Sequence, residues 1–74
     1  MTSSREWIDA FAQRLGVEAP SEEEVTAILA LAGVAAHASE RTAAPVACWL
    51  AARAGTVPER ALELARTVLP ESAS

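Results

Sequence analysis

The sequence predicts an all-α fold, a compact four-helix bundle with short loops. Hydrophobic residues make up 51% of the 74 residues, only three residues are glycine, and 18 are alanine, the strongest helix former. Apolar residues recur every three or four positions in four segments, each bounded by capping or turn residues. We expect helices at about 4–15, 22–38, 43–54 and 57–69. Together they form a single helical domain over 1–74 whose last residues, 70–74, are a frayed tail.

The first helix begins at a capping box. Ser3 and Glu6 have the spacing at which the serine hydroxyl and the glutamate carboxylate each accept a backbone N–H at the helix start. Gly16 stands where a left-handed residue ends a helix. The helix carries one apolar stripe at helical spacing, and we expect that stripe to face the core: Trp7, Ile8, Phe11, Ala12 and Leu15.

The second helix repeats the capping box with Ser21 and Glu24. Three successive glutamates, 22–24, suit the positive end of the helix dipole, so we interpret them as a solvated first turn and not as a metal site. The main apolar stripe consists of Val25, Ile28, Leu29, Ala32 and Ala36. Leu31 and Val34 lie off this stripe, and the helix is therefore apolar around most of its circumference. Such a helix lies centrally in a bundle or supplies a partner surface.

The third helix has Thr42 as its expected N-terminal cap and Pro45 in its first turn, where a missing N–H costs nothing. Residues 43–52 contain no charge. Ten residues cannot span a bilayer, so the large side chains of this segment belong in a core or an interface. Gly55 ends the helix.

The fourth helix is expected to begin with a capping box of Thr56 and Glu59, with Pro58 inside the first turn. Glu63 and Arg66 are three residues apart and can form a weak ion pair. Pro70 stops the helix. Its stripe consists of Ala61, Leu62, Leu64, Ala65, Val68 and Leu69.

Charge and residue types exclude several classes of function. Ten acidic residues against six arginines give a net charge of −4, which argues against nucleic acid as a partner. No apolar run is long enough for a membrane span, so we predict a cytoplasmic protein with no membrane partner. The single cysteine, Cys48, lies in an apolar stretch and is expected to be a small buried hydrophobe. No nucleophile–base pair and no metal-ligand spacing is visible; we therefore predict no enzyme, no catalytic residue, no metal site and no cofactor.

His37 and Arg41 are the one candidate ligand site. Four residues apart, they could share a face at the end of the second helix, close to the start of the third. An imidazole beside a guanidinium can receive an anion such as phosphate. The alternative is that both side chains only cap carbonyl groups at the end of the second helix.

The two tryptophans, Trp7 and Trp49, lie in apolar stripes, and core packing is the expected role of both. A tryptophan that proves to be exposed would indicate a protein interface and not a cofactor pocket. The candidate interface residues lie on the second and third helices: Leu31, Val34, Val46, Trp49 and Leu50.

The segment from His37 to Gly55 resembles a small bacterial domain of unknown function. The resembling features are the histidine before Arg41, the Ala-Ala-Pro step at 43–45, and an apolar helix that ends in glycine, together with Glu6-Trp7-Ile8 near the start of an amphipathic first helix. The resemblance covers roughly residues 5–69. That family occurs alone or fused C-terminally to molybdenum-cofactor guanylyltransferase (molybdopterin-guanine dinucleotide biosynthesis protein A), the enzyme that joins GMP to molybdopterin. The resemblance implies an association with molybdenum-cofactor maturation, and not its catalysis.

Three functional hypotheses follow. The first is a non-catalytic accessory domain of molybdenum-cofactor biosynthesis, which docks on the guanylyltransferase or on a molybdoenzyme through the apolar surface of helices two and three. The second is a small anion- or nucleotide-binding module that uses His37 and Arg41. The third is a self-associating helical bundle with no ligand, most simply a homodimer.

Overall fold

The computed structural model describes residues 3–68, which form four α-helices and no strand. The all-α, four-helix architecture is thereby confirmed. The predicted tail at 70–74, together with residue 69, lies outside the described residues. The helices are α1 (Ser4–Leu15), α2 (Glu22–Ala38), α3 (Ala43–Arg53) and α4 (Pro58–Ala65).

The first two helices begin at the predicted capping boxes. The Ser3 hydroxyl accepts the backbone N–H of Glu6 at 3.1 Å, and the Glu6 carboxylate accepts the backbone N–H of Ser3 at 3.1 Å. Ser21 and Glu24 form the same pair of bonds at the start of α2, at 3.1 and 2.8 Å. Each box satisfies two N–H groups at a helix start that would otherwise lack a partner.

Two helices end at glycines in the left-handed region, as predicted. Gly16 has φ +77° and Gly55 has φ +71°. After α3, the N–H of Gly55 bonds to the Ala52 carbonyl and the N–H of Thr56 to the Ala51 carbonyl. This pair of bonds is a Schellman motif, and a Cβ would strain the backbone at its left-handed position.

The predicted N-cap residue of α3 is confirmed in position but makes no capping bond, and the predicted cap of α4 is wrong. Thr42 occupies the N-cap position of α3 with φ −67° and ψ −19°, and its hydroxyl makes no capping bond. Helical backbone angles do not aim a side chain back at the first free N–H groups. At α4 the N-cap is Val57, in an extended conformation, with Pro58 directly after it. A residue before proline is restricted to extended angles, so Thr56 lies one position too early to cap.

The fourth helix ends at Ala65, four residues before its predicted end. The backbone then tightens, since Thr67 and Val68 donate to carbonyls only three residues back, and the Thr67 hydroxyl donates to the Leu64 carbonyl at 2.6 Å. Arg66 thus lies outside the helix, and Glu63 pairs with Arg60 at 3.4 Å instead of with Arg66.

The packing is organised around α2, which lies against both α3 and α4, as its apolar circumference predicted. The α3 and α4 helices make little contact with each other, and α1 makes little contact with any other helix. The longest dimension of the molecule, 42 Å, is close to the combined length of α1 and α2. The buried core of the described residues is small and mostly alanine: Ala12, Ala27, Leu31 and Ala61.

Candidate functional site

The third helix exposes its large apolar side chains. Val46, Trp49 and Leu50 are 57%, 57% and 55% exposed, and α3 contains no buried residue. Their spacing of three and four residues places them on one side of the helix. We call these three residues the α3 face. Arg53, one further turn along, holds its guanidinium 5.1 Å from the centroid of a Trp49 ring.

The other side of α3 contacts α2 through Cys48. Its Sγ lies 4.0 Å from the carbonyl oxygen of Ile28, and the residue is half-buried. Burial raises the pKa of the Cys48 thiol, because removal from water disfavours the thiolate. Cys48 therefore acts as a small packing residue, in agreement with its apolar sequence context.

The remaining interface candidates differ in exposure. Leu31 is only 4% exposed and belongs to the core, so its assignment to an interface is wrong for this chain. Its side chain, on α2, is covered by the two neighbouring helices, α3 and α4. Val34 is half-buried and lines grooves at the side of α2.

The expectation that both tryptophans pack in the core is also wrong, since Trp7 is 58% exposed and Trp49 is 57% exposed. The sequence correctly places each in an apolar stripe. The chain, however, holds too few residues around α1 and α3 to cover those stripes.

A groove runs between α3 and α4, because both helices pack on α2 and hardly touch each other. Its volume is about 270 Å³, and nearly all of its wall is apolar. Small alanine side chains line much of it, so a larger side chain can enter from outside. We define the α3–α4 groove by Ala47, Leu50, Ala54, Ala61, Leu64 and Val68.

The first helix presents an aromatic ridge to solvent. The rings of Trp7 and Phe11 are in contact, with centroids 5.1 Å apart and planes tilted by 36°. Phe11 is 48% exposed, whereas Ala12, on the neighbouring side of the helix, is only 6% exposed. The α1 helix thus contacts its own chain with one side and leaves the aromatic side uncovered. The sequence did not distinguish these two sides, since both belong to one apolar stripe.

His37 and Arg41 do not share a helix. The α2 helix ends at Ala38, and Arg41 lies in the turn that precedes α3. Both residues are exposed, and neither side chain makes a hydrogen bond or ion pair with any residue of the range 3–68. The predicted common face is therefore absent, and so is the alternative capping of α2 carbonyls within this range. His37 instead borders an open groove between α2 and α4 that Arg66 also lines.

The residues that the structure describes hold no group of three His, Cys, Asp or Glu side chains that could bind a metal ion. Glu22 and Glu23, in the first turn of α2, are exposed. None of the four described helices combines the length and the apolar character that a membrane crossing requires.

Comparison with known proteins gives one result. The family described as a domain of unknown function (DUF6457) matches residues 1–73, almost the whole chain. No curated protein and no solved structure shows a significant match.

Proposed function

We propose that this chain, which belongs to the DUF6457 family, is a non-catalytic interaction domain that docks on a protein partner through the α3 face. One observation carries the proposal. The α3 helix is almost wholly apolar, yet none of its residues is buried, and its three largest apolar side chains are more than half exposed.

The composition of this surface suits protein binding. Trp and Arg are the residue types most enriched among those that dominate binding energy, and on α3 they lie in contact as Trp49 and Arg53. Burying apolar side chains against a partner would remove them from water at about 25 cal/mol per Å². An exposed apolar patch of this kind is typical of a binding surface.

The proposed partner is the molybdenum-cofactor guanylyltransferase or a molybdoenzyme. This part of the proposal rests on the resemblance of residues 37–55, a segment that contains all of α3. The residues that carry the resemblance therefore include the α3 face itself. We further propose that docking takes place in the cytoplasm, where cofactor maturation would supply the partner.

Two observations favour docking over chemistry at this site. The raised pKa of Cys48 keeps the thiol neutral, which works against a nucleophilic role. The alternative of an anion-binding module is weakened because the end of α2 separates His37 from Arg41. Within residues 3–68, neither side chain is held by a hydrogen bond that would preorganise it toward a ligand.

Titration calorimetry of the purified chain with the purified guanylyltransferase, and separately with a molybdoenzyme, of the same organism tests the proposal. We expect binding that Trp49→Ser weakens at least tenfold and Val46→Ser weakens severalfold. Val17→Ser is the matched control, because Val17 is 59% exposed against 57% for Val46 and lies outside α3. Equal binding by all three variants would contradict docking through the α3 face, and absence of heat with both proposed partners would refute their identity.

A further inference from the structure

The chain exposes more surface than a folded protein of its size normally does. Its accessible surface is 5891 Å². The scaling for monomeric proteins gives about 4,300 Å² for a mass of 7.7 kDa, so the excess is about 1,600 Å². A standard interface removes roughly 800 Å² from each partner, and obligate dimers remove roughly 1,000–2,500 Å². The excess has the size that a permanent dimer would cover.

Two exposed surfaces of the chain complement each other in the size of their side chains. The Trp7–Phe11 ridge consists of two large exposed rings in contact. The α3–α4 groove is concave, and half of the residues that line it are alanine. Large side chains of one helix that enter a row of small side chains give the interdigitation found in helix packing. Both surfaces are apolar, and Arg14, which borders the ridge, is exposed.

The ridge is held away from the groove of its own chain. The α1 helix is joined to α2 by only 16–21, and hydrogen bonds fix both ends of this connection. After α1, Val17 and Gly16 donate to the Ala12 and Gln13 carbonyls. Ala12, on the side next to the ridge, is already buried against its own chain. The aromatic side of α1 is thus left for another molecule.

We propose that this other molecule is a second copy of the chain, with the Trp7–Phe11 ridge of each copy in the α3–α4 groove of the other. Such an exchange is reciprocal, so it closes with two-fold symmetry and leaves no open end for further growth. The homodimer goes beyond the proposed docking function, because Val46 and Trp49 lie outside both surfaces and remain free for a partner. Leu50 belongs to both the α3 face and the groove, and the dimer would cover it.

Sedimentation velocity of the full chain tests the proposal at micromolar concentration. We expect twice the monomer mass of 7.7 kDa. The ridge variant Trp7→Ser/Phe11→Ser and the groove variant Leu64→Glu should each sediment as monomers, with dimer dissociation constants at least thirtyfold higher. Val46→Ser, a matched loss of exposed apolar surface on α3 that does not line the groove, should remain a dimer.

A mixture of the two disrupted variants separates this arrangement from other dimers. In a homodimer of either variant, both ridge–groove contacts are disrupted. A heterodimer of the ridge variant with the groove variant keeps one intact contact, between the ridge of the groove variant and the groove of the ridge variant. We therefore expect the mixture to associate more tightly than either variant alone. A mixture that stays monomeric, a ridge variant that stays dimeric, or wild-type chain that sediments as a monomer at 100 µM would each overturn the proposal.

Thermal unfolding of the wild-type chain gives a second readout that does not depend on the folding of any variant. When folding is coupled to association, the unfolding temperature rises with protein concentration. We expect such a rise between 5 and 200 µM. An unchanged unfolding temperature over this range would overturn the dimer, while the calorimetric test of partner docking would be unaffected.

Discussion

The guanidinium of Arg53 lies over the ring system of Trp49, with its Cζ 5.1 Å from a ring centroid. The two residues are one helical turn apart on α3, and the indole is more than half exposed. Arg53 also occupies the last turn of α3, where a positive charge interacts favourably with the helix dipole. The pair therefore fixes the orientation of the largest side chain on the α3 face before any partner binds.

A double-mutant cycle should detect this contact. We expect Trp49→Ser and Arg53→Gln to be coupled by about 0.5–1 kcal/mol in the free energy of unfolding, which is the range of exposed cation–π contacts. Urea denaturation measures the coupling. The matched cycle of Trp49→Ser with Arg60→Gln, on another helix, should show none. Equal coupling in both cycles would contradict a specific contact.

Two leucines of α2 should respond very differently to truncation. Leu31 is 4% exposed and Leu29 is 66% exposed, although they are two residues apart on one helix. Leu31→Ala removes core contacts and should lower the free energy of unfolding by about 2–4 kcal/mol. Leu29→Ala should change it by less than about 0.5 kcal/mol. Urea denaturation of both variants measures the difference, and similar losses would mean that Leu29 is covered.

The helix caps provide a second matched pair. Ser21 caps α2 with its hydroxyl, whereas Thr42 at the start of α3 makes no capping bond. Ser21→Ala should cost about 1 kcal/mol. Thr42→Ala should cost less than about 0.3 kcal/mol by the same reasoning. A comparable loss in both variants, measured by chemical denaturation, would show that the Thr42 hydroxyl caps α3 after all.

The sequence predicted the helices well because their signals are local. The Ser-x-x-Glu spacing at 3–6 and 21–24 and the two glycines at 16 and 55 fixed four helix ends within one or two residues. The predicted Thr56 cap is wrong for a reason that is also local. Pro58 forces Val57, the residue before it, into the extended N-cap conformation. Val57 therefore takes the N-cap position that was predicted for Thr56.

Burial was harder to predict than helix position. A stripe such as that of α1 shows which side of a helix is apolar, but not whether another element covers it. Trp7 and Trp49 had the periodicity of core residues and are exposed, because α1 and α3 each lack a neighbour on that side. Leu31, placed off the main stripe of α2, is buried because α2 is enclosed by two helices. The predicted common helix face of His37 and Arg41 is absent because α2 ends at Ala38, between them.

Substitution of two glycines by alanine should have effects of opposite sign. Gly33 lies inside α2, and a Cβ there would meet no atom within 4 Å. Gly33→Ala should therefore stabilise the chain by about 0.5–1 kcal/mol through helix propensity. Gly55 has φ +71°, so Gly55→Ala should destabilise it by about 1 kcal/mol. Thermal unfolding at one fixed protein concentration measures both shifts, and stabilisation by Gly55→Ala would contradict the left-handed end of α3.

The capping box of α1 should appear in the acid titration of the protein. The backbone N–H and the hydroxyl of Ser3 hold the pKa of Glu6 below its ordinary value of 4.5, because they stabilise the carboxylate. A pKa that is lower in the folded state than in the unfolded state stabilises the fold above pH 4.5, and this contribution is lost as the pH falls through the folded pKa. Carbon-detected NMR should show Glu6 titrating below 4.5, and Ser3→Ala should move its pKa up toward that value. Ser4→Ala, a substitution of the same type one residue later, should leave it unchanged. A Glu6 pKa at or above 4.5 in the wild-type chain would contradict the box.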